Sequence, residues 1–244
     1  MPSRGSVRPD GRHLLVLVVL VAFGAGFRRA LESPAPATFA RRSVAVPREE
    51  TPRFQSRFVT IRPDLHVHAA CLVELADGRV RAFWFSGSRE GAPDVEIHTA
   101  VFDPGQGEWG DEKTVATAAG TQRALWRYVR KVGNPASIRT PDGTLWLFYV
   151  TVSVGGWGGS TVNAVISRDD GETWGEARRL VGSPFLNLST MVRGEPVLFA
   201  DGTIGLPVYR NLVGTFGEML RLDATGAVID RHRVSDASSS LQPI

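Results

Sequence analysis

Three stretches of this chain match when laid over one another: VELADGRVRAFWF at 73–85, IRTPDGTLWLFYV at 138–150 and VLFADGTIGLPVY at 197–209. Each is an apolar run, then Asp-Gly, then a second run rich in branched and aromatic residues. Asp-Gly supplies the positive φ that a tight hairpin turn needs, so each stretch is a strong strand–turn–strand signal. The turns Asp77-Gly78, Asp142-Gly143 and Asp201-Gly202 follow one another at 65 and 59 residues. A unit of that length has room for four strands, and its repetition predicts a propeller or another repeated β array.

The rest of each unit reads as two further strands. These are 95–102 and 113–116 in the first unit, 161–167 and 177–181 in the second, and 218–222 and 228–234 in the third. Residues 121–131, TQRALWRYVRK, lack turn residues and carry apolar positions at helical spacing. They read as a short helix or ordered loop between units.

Between the third and fourth strands of the second unit lies Ser167-Arg168-Asp169-Asp170-Gly171-Glu172-Thr173-Trp174. It carries every fixed position of the Asp-box pattern S-x-D-x-G-x-T-W. A carboxylate here accepts turn amides, glycine permits the left-handed bend, and tryptophan packs beneath. Ser167, Asp169, Gly171, Thr173 and Trp174 are therefore expected to be scaffold rather than chemistry, because their side chains are committed to the turn. Asp103-Pro104-Gly105-Gln106-Gly107-Glu108-Trp109 is a degraded version in the first unit.

Ahead of the repeats, residues 14–27 read LLVLVVLVAFGAGF without a charge, preceded by Arg4, Arg8 and Arg12. That is a basic region followed by an apolar stretch of signal-peptide length, short of the ~20 residues that span a bilayer comfortably. A cleavable signal would use Ala35-Pro36-Ala37, which lies far downstream beyond Arg28-Arg29. A short signal-anchor avoids that difficulty and is the favoured reading for 1–27. Either reading places the folded part outside the cytoplasm. Residues 28–57, with Pro34, Pro36, Pro47 and Pro52 among Ala, Ser and Arg, read as an extended linker. The folded region is then 58–244, with units at roughly 65–120, 132–182 and 189–236.

Charge and cysteine usage narrow the function. Residues 1–57 hold ten Arg and four acidic residues, so the net charge of +3 divides into a +6 arm and a −3 remainder. A nucleic-acid binder would carry its Arg on the folded face, so nucleic acid is not expected as a partner. Cys71 is the sole cysteine, which excludes an intrachain disulfide and reads as a small core residue. No Cys/His spacing suggests a metal, and no cofactor is expected. Asn187-Leu188-Ser189 fits a glycosylation acceptor pattern and receives little weight.

FSGSREGAPDVEI (85–97), GNPASIRTPDGTLWLFYVTVSVGGW (133–157), SRDDGETW (167–174) and SPFLNLSTMVRGEP (183–196) together resemble the sialidase superfamily, in particular bacterial sialidase-like proteins with BNR/Asp-box repeats. The resemblance covers most of 65–244. It implies an all-β six-bladed propeller, of which about three four-stranded blades are present, plus the N-terminal apolar helix. It implies retaining hydrolysis of sialosides by a Tyr nucleophile activated by a Glu, an Asp acid/base and three Arg that clamp the substrate carboxylate. Arg offers a bidentate fork to that carboxylate, and an anionic substrate repels a carboxylate nucleophile.

Carried over residue by residue, the resemblance gives Asp94 the acid/base position and Arg89 the neighbouring basic position. His68 stands where sialidases open the clamp with an Arg, and a mostly neutral imidazole lacks the bidentate fork. Tyr149, Tyr209 and Arg210 end second strands near the expected funnel. Tyr209 and Arg210 are candidate sugar contacts, while Tyr149 reads equally well as strand packing. Around Ser238-Ser239-Ser240 no activating Glu is found, and the remaining clamp Arg and the Tyr nucleophile would lie beyond residue 244.

Three readings follow. One is a sialidase-like glycoside hydrolase, truncated and inactive alone. Another is a non-catalytic propeller module that binds a glycan or a protein partner. The last is a remnant without activity of its own. The implied partners are a glycan or sialoside-like carbohydrate, a membrane through the N-terminal segment, and another copy through open blade edges.

Overall fold

In the computed structural model of the chain, residues 11–31, 39–40, 54–60, 62, 64–183, 187–212 and 214–234 are described. The expected cleavage site at Ala35-Pro36-Ala37, the prolines of the linker and the segment around Ser238 lie outside them. Two compact units separate. One holds the N-terminal helix, and the other holds residues 39–182 and 187–244.

Helix α1 runs Gly11–Leu31, 21 residues or about 30 Å. It takes in Arg12 and His13 at its start and extends past Phe27, so it is longer than the uncharged run alone. Its window Gly11–Arg28 has a mean hydropathy of 1.5 and is long and apolar enough to cross a membrane by length and composition. A signal sequence near an N-terminus meets the same description.

The second unit is built from antiparallel sheets that follow chain order. Sheet 1 contains β1 (His66–Glu74), β2 (Val80–Gly87), β3 (Glu96–Asp103), β4 (Glu108–Trp109) and β5 (Lys113–Thr117). Helix α2 (Ala118–Leu125) leads to sheet 2, which contains β6 (Lys131–Arg139), β7 (Leu145–Val152), β8 (Ser160–Ser167) and β9 (Arg178–Arg179). Sheet 3 contains β10 (Met191–Val192), β11 (Val197–Leu198), β12 (Ile204–Arg210), β13 (Phe216–Leu222) and β14 (Val228–Arg233). A 3-10 turn, Trp157–Gly159, lies between β7 and β8.

Four strands per unit were expected, whereas sheets 1 and 3 have five. In sheet 1 both β4 and β5 pair with β3, and in sheet 3 both β10 and β11 pair with β12. One strand position is split in each sheet. In sheet 3 the interruption is Arg193-Gly194-Glu195-Pro196, where proline has no N–H to donate. Helix α2 begins at Ala118, three residues before the expected start, because the Thr117 hydroxyl accepts the Gly120 amide as an N-cap at 2.9 Å.

The hairpin turns use one geometry. Gly78, Gly143 and Gly202 have φ of 82°, 85° and 83°, while their Asp partners do not enter the left-handed region. The amides of Gly78, Gly143 and Gly202 reach back to Leu75, Thr140 and Phe199 carbonyls. This is a type I turn followed by a left-handed glycine, the three-residue hairpin loop rather than the two-residue one. Each Asp carboxylate caps the turn by accepting the amide two residues on, from Arg79, Thr144 and Thr203.

Sheet 2 lies between the other two. Along β7, Leu145, Leu147 and Tyr149 pack with Phe83, Phe85 and Ile97 of sheet 1. Trp146, Phe148 and Val150 pack on the opposite face with Met191, Leu206 and Val208 of sheet 3. Side chains alternate faces along a strand, so a strand covered on both faces must be apolar throughout, as LWLFYVTV is. The first strands β1, β6 and β10 lie side by side, with β6 in contact with both β1 and β10.

Candidate functional site

One end of the three sheets is chemically distinct from the other. At the end bearing the Asp-Gly turns, carboxylates are consumed by turn amides. At the opposite end the first strands begin and the second strands finish, and β1 and β6 are bent near the same point. The pairing register of β1 shifts between His68 and Cys71, and that of β6 shifts between Gly133 and Ala136. Ala69 and Asn134 sit in those bulges with φ of 53° and 47°, and Ser189, just before β10, has φ 58°. Left-handed backbone at non-glycine residues is uncommon, and bulges of this kind re-aim neighbouring side chains.

The loops at this end form a continuous row. A Cβ on Gly91, in the β2–β3 loop, would lie 2.9 Å from Lys131 Nζ at the start of β6. The same Nζ sits 3.8 Å over the ring of Trp157 in the β7–β8 loop. A Cβ on Gly158 would be 3.4 Å from Leu212 in the β12–β13 loop. The Asn211 amide in that loop donates to Ser189 Oγ at 2.8 Å, which closes the row on the segment before β10. Elements from all three sheets thus meet along one surface.

Asp94 and Arg89 are exposed in the β2–β3 loop. The Asp94 carboxylate accepts the Ser88 amide at 3.0 Å on one oxygen and the Ser88 hydroxyl at 3.0 Å on the other. Those two donors, the amide first, hold its carboxyl below the usual value, with the Arg89 charge a smaller contributor. A general acid needs the opposite shift. Burial pushes the Lys131 ammonium below its usual value, with Arg130 adding to the effect.

His68 is exposed, and its ring stacks on Phe85 at 5.8 Å and 14°. Arg210 lies at the far end of the row with its guanidinium engaged. Nε donates to Glu218 at 2.5 Å and Nη1 to the Leu188 carbonyl at 3.2 Å. Tyr209 was expected to line the site, but it is 6% exposed and packs between sheets 2 and 3. Tyr149 is fully buried, and its hydroxyl pairs with Thr121 at 2.9 Å. Burial pushes that phenol up to about 12.

The Asp-box is a closed turn. Asp169 accepts Ser167 Oγ at 2.6 Å, the Thr173 amide at 2.9 Å and Thr173 Oγ1 at 2.6 Å, while Ser167 Oγ accepts the Gly171 amide at 2.8 Å. Hydroxyl donation from Ser167 and Thr173 drives its carboxyl far below the usual range. Trp174 meets Phe83 edge-on at 5.7 Å. A third turn of the kind, Asp223-Ala224-Thr225-Gly226, is absent from the sequence reading because it lacks the Ser and Trp. Its Asp223 accepts the Thr225 and Ala227 amides all the same.

Lys131 and Trp157 also escaped the sequence reading. Lys131 closes a stretch with helical spacing, and only folding brings it over Trp157. Trp157 did carry a signal, a large aromatic inside the glycine run GGWGG. Cys71 is a half-buried strand residue whose Sγ lies 3.5 Å from Ser137 Oγ, and burial pushes its thiol up to about 12. Among the described residues no group of three or more His, Cys, Asp or Glu side chains is placed to hold a metal.

Solved structures share the fold of the sheets at low sequence identity. A Hadza microbial sialidase superposes with TM-score 0.55 at 17% identity over 68% of this chain and 37% of its own. A protein of unknown function from Dyadobacter fermentans gives 0.55 at 12% identity, over 70% of this chain and 55% of its own. A family 117 glycoside hydrolase of the marine bacterium Zobellia galactanivorans gives 0.54 at 13% identity, over 69% and 56%. The chain therefore spans between about a third and just over half the length of these proteins, and at such identities the likeness concerns the fold. No match was found among curated protein sequences. The BNR repeat-like domain model matches residues 78–244, from the turn of the first hairpin through the second and third hairpins and the Asp-box. The chain belongs to the BNR repeat-like domain family.

Proposed function

We propose that this chain is part of a sialidase-like glycoside hydrolase, that its three sheets are successive blades of a propeller whose axis runs along β1, β6 and β10, and that residues 1–244 by themselves bind sugar without hydrolysing sialosides. The observation that carries the reading is the row from residues 88–95 through Lys131 and Trp157 to Asn211, in which every sheet contributes a loop to one surface. Exposed Arg89, half-buried Lys131 and the indole of Trp157 suit an anionic pyranose, with cations for its carboxylate and an aromatic face for its ring. Helix α1 supports display outside the cytoplasm, as an anchor or as a cleaved signal.

Two features argue for binding without turnover. Ser88 holds Asp94 as a carboxylate, which suits a base and disfavours proton donation to a leaving group. His68 supplies an imidazole, without a guanidinium's fork, where a bidentate cation would grip the substrate carboxylate.

The test uses the detergent-solubilised full chain. With a fluorogenic sialoside no release is expected above blank. Sialic acid release that disappears in Asp94→Asn overturns the expected inactivity. Saturation-transfer NMR with the same sialoside should show contact that weakens in Arg89→Ala. Undiminished contact in that variant overturns the assignment of the site.

A further inference from the structure

Away from the row just described, the connection from α2 to β6 holds its most exposed aromatic residue in an unfavourable backbone. Trp126 is the C-cap of α2 with φ 51° and ψ 40°, and its side chain is 94% exposed. Helices ordinarily place glycine in that left-handed position, because a Cβ is strained there. Neither local propensity nor burial accounts for a tryptophan. Tyr128, two residues on, is 60% exposed. Together with Gln122, Arg123 and Arg127, these two aromatics line a cavity of about 590 Å³. The hollow is open to solvent along the exposed aromatics.

Gln122, Arg127 and the Tyr128 backbone are held by hydrogen bonds. Gln122 Oε1 accepts the Val129 amide at 3.2 Å. Arg127 Nη2 donates to Ser153 Oγ at 3.0 Å, and Ser153 Oγ in turn donates to the Tyr128 carbonyl at 2.6 Å. Arg127 Nη1 is buried and finds no acceptor among the described residues. The lining holds two guanidinium groups and no carboxylate. Arg127 as a whole is half-buried, and a guanidinium beside exposed aromatics favours an anion within reach.

We infer that this cavity is a second carbohydrate subsite, which stacks the apolar face of a pyranose on Trp126 and Tyr128 and turns its carboxylate toward Arg123 and Arg127. The choice of a sugar rests on the function proposed above, while the cavity, its exposed aromatics and its uncompensated cation do not. Tyr128 precedes Lys131 by three residues, and Ser153 opens the loop that carries Trp157. The subsite therefore adjoins the first row along the chain and would hold a neighbouring residue of the same acidic glycan.

The experiment is saturation-transfer NMR on the full chain with sialyllactose and with lactose. Sialyllactose should contact the protein and lactose should do so more weakly. Trp126→Gly is the decisive variant. Glycine adopts the left-handed cap freely, so the melting temperature should not fall, yet sialyllactose affinity should drop about tenfold. Arg127→Gln should weaken sialyllactose while leaving lactose unchanged. If Trp126→Gly and Tyr128→Ala both bind sialyllactose like the wild type while Arg89→Ala does not, the second subsite is overturned and the first function stands. Equal weakening toward both sugars in Arg127→Gln overturns the role of the carboxylate. Contact with neither sugar in the wild type overturns the subsite and leaves Trp126, Tyr128 and Arg127 as a protein-contact patch.

Discussion

Arg81 in β2 of sheet 1 and Glu172 in the Asp-box of sheet 2 form an ion pair at 2.9 Å across 91 residues of sequence. The guanidinium is 2% exposed and the carboxylate 53%. Arg81 Nε also donates to the Asp170 carbonyl at 2.8 Å, and Lys113 reaches the other Glu172 oxygen at 2.8 Å. On the following sheet the arrangement recurs with different chemistry. A Cβ on Gly226, in the turn after β13, would meet the Trp146 ring at 2.7 Å, and Arg178 lies over that ring at 5.7 Å. Arg81 and Trp146 each stand three residues after the glycine of their hairpin, so the Asp-box and the Asp223 turn each seat on the second strand of the sheet before them. The Asp-box is thus a latch between sheets as well as a turn.

That latch should be asymmetric in energy. Arg81→Ala removes a buried group that serves both Glu172 and the Asp170 carbonyl, and a loss of about 3 kcal/mol is expected. Glu172→Ala removes a half-exposed, solvent-screened partner, and about 1 kcal/mol is expected. Urea denaturation of the two single variants and the double variant measures both. Equal losses would show that the turn, and not the buried cation, carries the contact.

Gly171 has two separate reasons to lack a side chain. Its φ is +94°, and a Cβ there would lie 2.6 Å from Arg81 Nε, whereas Gly202 shares the φ but opens on empty space. Gly202→Ala should cost about 1 kcal/mol from backbone strain alone. Gly171→Ala should cost about 3 kcal/mol, because overpacking adds to the strain. Melting temperatures of the two variants compare them, and similar shifts would mean that Arg81 yields freely.

Acid should loosen the sheets through their turns. Asp142, Asp169, Asp201 and Asp223 each have a carboxyl held below the usual value, led in each by a hydroxyl donor: Thr140, Ser167, Thr203 and Thr225. The folded state therefore prefers these groups ionised. Their stabilisation is complete above the unfolded carboxyl value of about 4 and is lost as pH falls through the lower folded values. Urea midpoints should be level from about pH 7 to pH 5 and should fall steadily below about pH 4. A midpoint unchanged at pH 3 would show that the turns do not depend on ionised Asp.

How far the residues alone led can be judged from particular elements. The hairpins were legible because a type I turn with a left-handed glycine involves five consecutive residues, all of whose requirements are written locally. The Asp-box was legible for the same reason. β7 was legible as a strand from its branched and aromatic residues, and the structure added that both its faces are buried. Less of the candidate site could be read. Tyr209 and Tyr149 end strands where a funnel was expected, but β12 and β7 turn those side chains into the packing between sheets. Arg210 does stand at the expected end, and Glu218 across the β12–β13 pair takes its Nε.

What the amino-acid sequence determined unaided was the hairpin unit: two strands joined at Asp-Gly, further strands behind them, and an Asp-box carboxylate committed to its turn. Those depend on φ, ψ and donors within about four residues, which any chain carries with it. What only the tertiary structure decided was which units meet and through which atoms. Arg81 against Gly171 and Lys131 over Trp157 each require a sheet or loop to settle on a neighbour far along the chain. The residues involved have no local preference that reveals the partner, because packing contacts are set by shape and burial after the strands have formed.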